Sequence, residues 1–270
     1  MPYRHAHWWV LALFPLIAVA FWPNYLGQFR ASPFALHAHG MTATAWLLLL
    51  AGQSASIHAR RPEWHRAAGI ATFVVLPLFA AAGPLALQGM AQLWVSNADP
   101  FHAAFGARLV VADMIAGPSV VALAVYAVLH RRRVRAHAAA MLGTALLVLP
   151  PILGRLFPAL PGFPESGGFA LSFQLAEAVT LVIALWLAAR DRQGRTAFGF
   201  VAAAPLAQML GFAATARLAL WERFVAMLVK LPTAPMSLAA GLAAACLLWW
   251  AWRAVPPRGA AATGTRPAAA

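Results

Sequence analysis

Residues 67–90 read AAGIATFVVLPLFAAAGPLALQGM, and no side chain in this stretch carries a formal charge. A helix needs about 20 consecutive apolar residues to cross the roughly 30 Å of hydrocarbon in a bilayer. The stretch meets that length, and it lacks the alternation of polar and apolar residues that is typical of transmembrane β-strands. It therefore predicts a membrane-spanning α-helix, in which the backbone polar groups are paired within the segment.

Comparable apolar runs recur along most of the chain. The composition agrees, because 62% of the 270 residues are hydrophobic and only 10% are charged, which is too few charges to cover a soluble protein of this length. We predict an all-α integral membrane protein, an eight-span helical bundle in which residues 1–255 form one transmembrane domain. The predicted spans are 8–23, 34–57, 67–90, 104–129, 138–157, 168–189, 196–218 and 235–253. Residues 256–270 are predicted to be a disordered cytoplasmic tail.

The distribution of basic residues predicts the orientation of the bundle. Fourteen of the 20 Lys and Arg residues fall in the N-terminal segment, in alternate loops or after the last span. Short loops rich in Lys and Arg stay on the cytoplasmic side of a membrane. The pattern therefore predicts an N-in/C-in protein of a bacterial inner (plasma) membrane, surrounded by the lipid bilayer.

Two function classes are excluded by composition. The formal net charge is +13, but the basic residues lie in short clusters beside spans, so nucleic acid is not an expected partner. The chain has a single cysteine, Cys246, which excludes an intrachain disulfide or a thiol relay within this chain. Neither observation predicts an oligomeric state.

Ionisable groups inside predicted spans are candidates for function, because burying them in a bilayer costs several kcal/mol. Asp113 lies in the fourth span and Glu177 in the sixth, where Gln174 shares the face of Glu177 at i,i+3 spacing. One stripe of the fourth span contains His102, Gly106, Leu109, Asp113 and Gly117. These residues predict a polar cavity in the outer half of the bundle.

The histidines fall into two groups, one at each side of the membrane. His37, His39 and His102 lie at outer span ends and His65 and His137 at inner ones. A transmembrane b-type cytochrome holds one haem in each leaflet between imidazoles from facing helices. This predicts haem b bound by His39 with His102 and by His65 with His137, in a four-helix core of spans two to five. Propionates would meet basic side chains, namely Arg155 outside and Arg66 or Arg135 inside.

Four functions remain open on these residues, the last of which is a scaffold or assembly factor without ligands. The first is a haem-b electron carrier between a quinone or other redox partner and an outer acceptor. The second is a proton-coupled transporter or small-molecule-binding protein that uses the outer cavity, formed by His37, His39, His102, Asp113, Arg155, Gln174 and Glu177. The third is a zinc or copper site, with His37, His39 and His102 as ligands. Histidines and arginines at span ends also serve as interfacial anchors, and His5, His7, His58 and His130 are interpreted as solvated loop residues without chemistry.

Four stretches in spans two to five carry a resemblance to known proteins: HAHGMTATAWLLLLAGQ (37–53), HARRPEWHRAAG (58–69), RAHAAAML (135–142) and GRLF (154–157). They resemble a group of bacterial multi-pass proteins of no assigned activity, with HxHG, W, Q, HRxxG and H…M…R landmarks. The matching residues are His37, His39, Gly40, Trp46, Gln53, His65, Arg66, Gly69, His137, Met141 and Arg155. In pattern the histidines also look like those of two-haem, ascorbate-type cytochromes, whose ligands lie deeper in their helices than His65 and His137 do here.

Overall fold

The computed structural model describes residues 2–164 and 168–255. Within these residues the chain forms helices joined by short turns and contains no strand. The α-helices are α1 (Ala6–Phe21), α2 (Phe34–His58), α3 (Pro62–Ile70), α4 (Thr72–Val95), α5 (Pro100–Leu129), α6 (Val134–Leu146), α7 (Leu149–Leu156), α8 (Gly168–Arg190), α9 (Arg195–Thr215), α10 (Ala219–Leu228) and α11 (Thr233–Arg253). The tail predicted to be disordered, 256–270, lies outside the described residues.

The described helices include 7 segments long and apolar enough to cross a membrane. Two of these segments are helix pairs, α3 with α4 and α6 with α7. The first helix, α1, is apolar but has only 16 residues. The protein is therefore an all-α, multi-pass membrane protein whose natural surroundings are the lipid bilayer.

Two predicted spans are broken into shorter helices. The third was expected at 67–90, but α3 begins at Pro62 and the helix turns at Ala71 before α4 continues to Val95. The fifth was expected at 138–157, but α6 ends before Pro150 and Pro151 and α7 starts anew. Proline has no N–H for the helical ladder, so a new helix readily begins at such a pair.

Seven helices form a closed ring. In order of contact they are α1, α2, α4, α5, α9, α8 and α7, which returns to α1. The buried core therefore includes more helices than the predicted spans two to five. Its main cluster also contains residues of α1, α8, α9 and α11. Helix α11 packs against α4 and α5. The ring and α11 line the cavity described below.

The segments that carry the arginine clusters meet at one end of the bundle, which we call the arginine end. Asp191, between α8 and α9, bonds to Tyr3 and lies 3.5 Å from Arg135. Arg131 donates to the carbonyls of Ala251, Trp252 and Val255 at the end of α11. These contacts join the N-terminal segment, two loops and the last helix.

Helix α10 lies at the other end of the bundle, which we call the opposite end. This helix packs against α4 and α5. Val225 is fully buried, and Trp221 Nε1 donates to the carbonyl of Ala107 at 2.7 Å. Buried Gln88 of α4 donates to the carbonyls of Leu228 and Leu231. Helix α10 is therefore part of the packed structure.

Candidate functional site: an internal cavity and two histidine pairs

Helices of the ring, together with α11, line a partly open cavity of about 2870 Å³. It extends from Asn24 and Asp99, near the opposite end, to Tyr126 and Leu129 in the last turn of α5, near the arginine end. Most of its lining is apolar, with phenylalanines from α1, α4 and α8. A large apolar cavity with a few polar groups is the usual form of a small-molecule site.

Among the ionisable side chains that line this cavity, three lie on different helices of the ring: Asp113 on α5, Arg155 on α7 and Glu177 on α8. Asp113 and Glu177 were predicted to face a cavity, and the structure brings both to the same one. Arg155, which was expected to meet a haem propionate, joins them there. The three helices thus place an anion-binding group and two carboxyl groups in the lining of one cavity.

Hydrogen bonds between helices hold these positions. Ser172 donates to the carbonyl of Gly154 at 2.7 Å, which fixes α8 against α7 beside Arg155 and Glu177. Buried Gln208 of α9 donates to the carbonyl of Ala112 at 3.0 Å, next to Asp113. In each case a polar side chain uses a carbonyl of the neighbouring helix, a contact that stabilises helix pairs in membranes.

Asp113 and Arg155 interact electrostatically across the cavity. In residues 2–164 and 168–255 the salt bridges are His102–Asp99 and Arg135–Asp191, so Asp113 and Arg155 are separated by more than 4.0 Å. Both side chains are solvent-accessible even though they lie deep in the bundle. The space between the two charges is therefore open to a ligand.

Arg155 is held in place by two contacts that do not use all of its N–H donors. Its Nη1 donates to the carbonyl of Pro151 at 2.8 Å, and its guanidinium carbon lies 4.3 Å from the centre of the Phe21 ring. A guanidinium has five N–H donors. Several donors remain for an acceptor group of a ligand, while Phe21 covers one face of the guanidinium.

Glu177 is almost completely buried, with 1% of its surface exposed. Its Oε2 atom has no hydrogen-bond partner among the described residues. Most buried polar atoms in proteins are paired, so an unpaired one needs an explanation such as a ligand or an exchangeable proton. Because Glu177 lines the cavity, a bound molecule can supply that partner.

The two outer haem-ligand candidates, His39 and His102, also line the cavity. The ring of His39 lies 5.5 Å from that of Phe79, and its Nδ1 is buried without a partner. His102 Nδ1 is 2.6 Å from Asp99, so the carboxylate orients the ring and leaves Nε2 free. Both imidazoles are available to a ligand in the cavity.

His37 and Gln174 were predicted to join this cavity, but the structure gives them other partners. His37 Nδ1 is 3.0 Å from the hydroxyl of Tyr25 and its ring lies 4.5 Å from Phe29. Gln174 donates to the carbonyl of Met209 at 3.2 Å and so joins α8 to α9. Neither side chain is among the cavity-lining residues.

At the arginine end, His65 of α3 and His137 of α6 lie side by side, as predicted for an inner ligand pair. Their ring centres are 6.3 Å apart and their planes are nearly perpendicular, at 82°. His65 Nδ1 lies 3.3 Å from the carbonyl of Gln53, and His137 Nδ1 lies 2.9 Å from that of Ala127. Each ring thus donates Nδ1–H to a carbonyl and keeps Nε2 free. Arg66, the expected propionate partner, is exposed.

A second histidine pair was not predicted. His7 of α1 and His58 of α2 were interpreted as solvated, yet their ring centres are 5.8 Å apart and each has a buried nitrogen without a partner. The sequence held one signal for this pair. Both residues lie at the same end of two consecutive spans, and consecutive spans joined by a short loop run side by side.

No three His, Cys, Asp or Glu side chains converge on a common point in the described parts of the chain. The proposed three-histidine metal site of His37, His39 and His102 therefore has no support from the arrangement of these residues. Comparisons with protein-family models, with curated proteins and with solved structures found no match. The possible chemistry of the site is therefore inferred only from the arrangement of its residues.

Proposed function

We propose that the protein binds a small amphipathic molecule in the internal cavity and moves it together with a proton. In this proposal the bundle has eight spans with both termini in the cytoplasm of a bacterial inner membrane. The opposite end then faces outward, and the cavity opens from that side. The arginines of the connected segments at the arginine end agree with this orientation.

One observation carries the proposal, namely the unpaired, buried Glu177 in a cavity that also contains Asp113 and Arg155. Carboxyl groups inside membrane proteins mark proton relays and substrate pathways. Arg155 is suited to an acidic or carbonyl group of the ligand, whereas the apolar lining is suited to its hydrocarbon part. Glu177 would exchange a proton as the ligand enters or leaves.

Binding in the cavity can be tested by substituting a glycine of its wall with a larger residue. Gly83 and Gly117 line the cavity, and a Cβ atom at either would meet nothing within 4 Å. Leucine at Gly117 therefore fills cavity space without a clash at Cβ. Gly52 is a matched control, because it is equally uncrowded but does not line the cavity.

The experiment uses purified protein and a panel of aliphatic and aromatic amphiphiles. We expect some of them to raise the melting temperature of the wild type and of Gly52→Leu, but not of Gly117→Leu. A stabilising compound is then tested for uptake into proteoliposomes under an imposed pH gradient. Uptake should follow the gradient in the wild type and in Glu63→Gln, an exposed acid outside the cavity, and should fail in Glu177→Gln and Asp113→Asn. Unchanged uptake in both of the latter variants would refute the proposal.

A second candidate function, a haem-b electron carrier, is favoured by the His65–His137 pair. Imidazole nitrogens lie about 2.0–2.1 Å from a bound metal ion, so rings that share one ion have centres about 6 Å apart, close to the observed 6.3 Å. Donation of Nδ1–H to a carbonyl is also the usual support for a ligating histidine. His39 and His102 would hold the outer haem, with a quinone or another redox partner as donor.

Haem binding is tested by the absorption spectrum of protein purified from haem-replete cells. The electron-carrier proposal requires a Soret band that is lost or shifted in His65→Ala and in His137→Ala. His130→Ala is the control, because His130 stacks on Tyr126 at 3.9 Å and bonds to its carbonyl. A colourless wild-type protein would exclude the electron carrier and leave the cavity proposal intact.

A further inference from the structure

At the arginine end, two buried nitrogen atoms of neighbouring rings have no hydrogen-bond partner among residues 2–164 and 168–255. They are His7 Nδ1 and His58 Nε2. The two ring centres are 5.8 Å apart, and the ring planes are inclined by 35°. Buried polar atoms without a partner are rare, and a bound ion is one of the established reasons for them. The coincidence of two such atoms in one ring pair therefore points to a ligand.

The tautomer of the neutral His58 ring follows from its other nitrogen. Nδ1 lies 2.7 Å from the carbonyl oxygen of Ser54. A carbonyl oxygen can only accept, so Nδ1 carries the proton and the buried Nε2 of the neutral ring presents a lone pair. Histidines that bind metals are commonly held in this way, with one N–H donated to a backbone carbonyl and the other nitrogen bound to the metal.

The separation of the rings suits one ion between them. Each imidazole nitrogen would lie about 2.0 Å from a bound ion. The ring centre is about 1 Å farther, so two imidazoles on opposite sides of an ion have centres about 6 Å apart. The observed 5.8 Å is close to this value.

We propose that His7 and His58 bind one monovalent copper ion through His7 Nδ1 and His58 Nε2. Imidazole suits copper and zinc alike, but zinc takes four ligands in structural sites. The described chain offers no third His, Cys, Asp or Glu to such a site. Two nitrogen donors complete the linear coordination that Cu(I) adopts.

The surrounding charge favours a monovalent ion as well. Arg4 lies three residues before His7, Arg60 and Arg61 follow His58, and all three arginines are exposed. Repulsion between charges grows in proportion to the charge of the ion. A divalent ion would therefore be disfavoured at this position more than a monovalent one.

The proposal is tested on the full chain, purified through a tag without histidine. Cu(I) is titrated without oxygen against bicinchoninate, a coloured chelator. We expect the wild type to withdraw one Cu(I) per chain, and X-ray absorption to show two nitrogen ligands. His7→Ala and His58→Ala should each weaken binding by more than about 100-fold, because losing a ligand exceeds the 10- to 100-fold effect of losing a residue that supports one.

His5→Ala is the matched control, because His5 lies two residues from His7 and is exposed. Its affinity for Cu(I) should equal that of the wild type, and so should that of His65→Ala and His137→Ala. Cu(I) should also raise the melting temperature of the wild type but not of His7→Ala or His58→Ala, whose copper-free melting temperatures show whether they are folded. Wild-type affinity in either variant, no binding by the wild type, or loss of binding only in His65→Ala or His137→Ala would overturn the proposal.

Discussion

Asp191 illustrates how single contacts set the chemistry of one residue at the arginine end. Burial by itself would raise the pKa of this carboxyl group. The hydrogen bonds from Tyr3 and from the backbone amides of Gly194 and Gln193, together with the charge of Arg135, outweigh burial and lower its pKa. The Tyr3 hydroxyl has a raised pKa, because it is buried and donates to Asp191, so it remains a neutral donor.

These shifts predict how stability depends on pH. A carboxyl group with a lowered folded-state pKa stabilises the fold above its unfolded value, about 3.9, and this contribution is lost as the pH falls through the folded value. We expect Asp191→Asn to lower the melting temperature near pH 7, by an equivalent of about 1.5–3 kcal/mol. The difference from the wild type should shrink below about pH 4. Thermal melts in detergent between pH 3 and pH 7 measure this, with Glu63→Gln as an exposed control; a pH-independent difference would contradict it.

A hydrogen bond between the side chains of Trp46 and Thr144 joins α2 to α6. Trp46 Nε1 donates to Thr144 Oγ1 at 2.9 Å, and both side chains are buried between α2 and α6. Thr144→Val would leave the indole N–H unpaired, at a cost of about 1–3 kcal/mol in soluble proteins and about 0.6 kcal/mol on average in membrane bundles. We expect a lower melting temperature for Thr144→Val than for Thr42→Val. Thr42 bonds only to carbonyls of its own helix, so equal effects would argue against the contact.

At the scale of helices, two glycines of one stripe on α5 have different roles. A Cβ atom at Gly106 would lie 2.7 Å from Trp94 Cβ and 3.4 Å from its Cα, whereas at Gly117 it would meet nothing within 4 Å. Gly106 therefore permits the close approach of α5 to the end of α4. Gly117 instead leaves room in the cavity.

This difference predicts opposite effects of the same substitution. Gly106→Ala should destabilise the protein by about 1–3 kcal/mol, because the overlapping atom, Trp94 Cβ, is attached directly to the backbone of the neighbouring helix and cannot rotate away. Gly117→Ala should be neutral or stabilising by up to about 1 kcal/mol, because alanine is the better helix former. Melting temperatures of the two variants decide this. The interpretation of the stripe would be wrong if Gly117→Ala were the more harmful change.

At the scale of the whole molecule, α1 is the element on which the number of spans depends. Tyr3 and His7 contact residues of the arginine end, whereas Phe21 lies under Arg155, beside the cavity. Helix α1 thus extends from the arginine end to Arg155, although 16 residues rise only about 24 Å. These contacts support the proposal of eight spans.

The proposed orientation predicts which loops a membrane-impermeant thiol reagent reaches. In a Cys246→Ala background we expect Ser96→Cys to react in intact spheroplasts. Arg192→Cys, at the arginine end, should react only after the membrane is opened, because arginine-rich short loops remain in the cytoplasm. Mass spectrometry of the labelled protein measures both, and the reverse pattern would place the arginine end outside.

Sequence alone predicted the elements because membrane helices are set by length and hydrophobicity, which are local properties. The runs around 34–57, 168–189 and 196–218 correspond closely to α2, α8 and α9. The breaks at Ala71 and before Pro150 were missed, since prolines inside a span can be either accommodated or disruptive according to their neighbours. The candidate site was predicted in part, through Asp113, Glu177 and Arg155.

What only the tertiary structure decided is which side chains face one another. Helical spacing places Gln174 and Glu177 on one face, yet Gln174 bonds to α9 while Glu177 lines the cavity. The pairing of His7 with His58 likewise depends on the packing of α1 against α2. The apolar composition determined that the chain forms membrane helices. The contacts between those helices involve residues distant in sequence, and the rotation of each helix about its own axis is fixed only when its neighbours are packed against it.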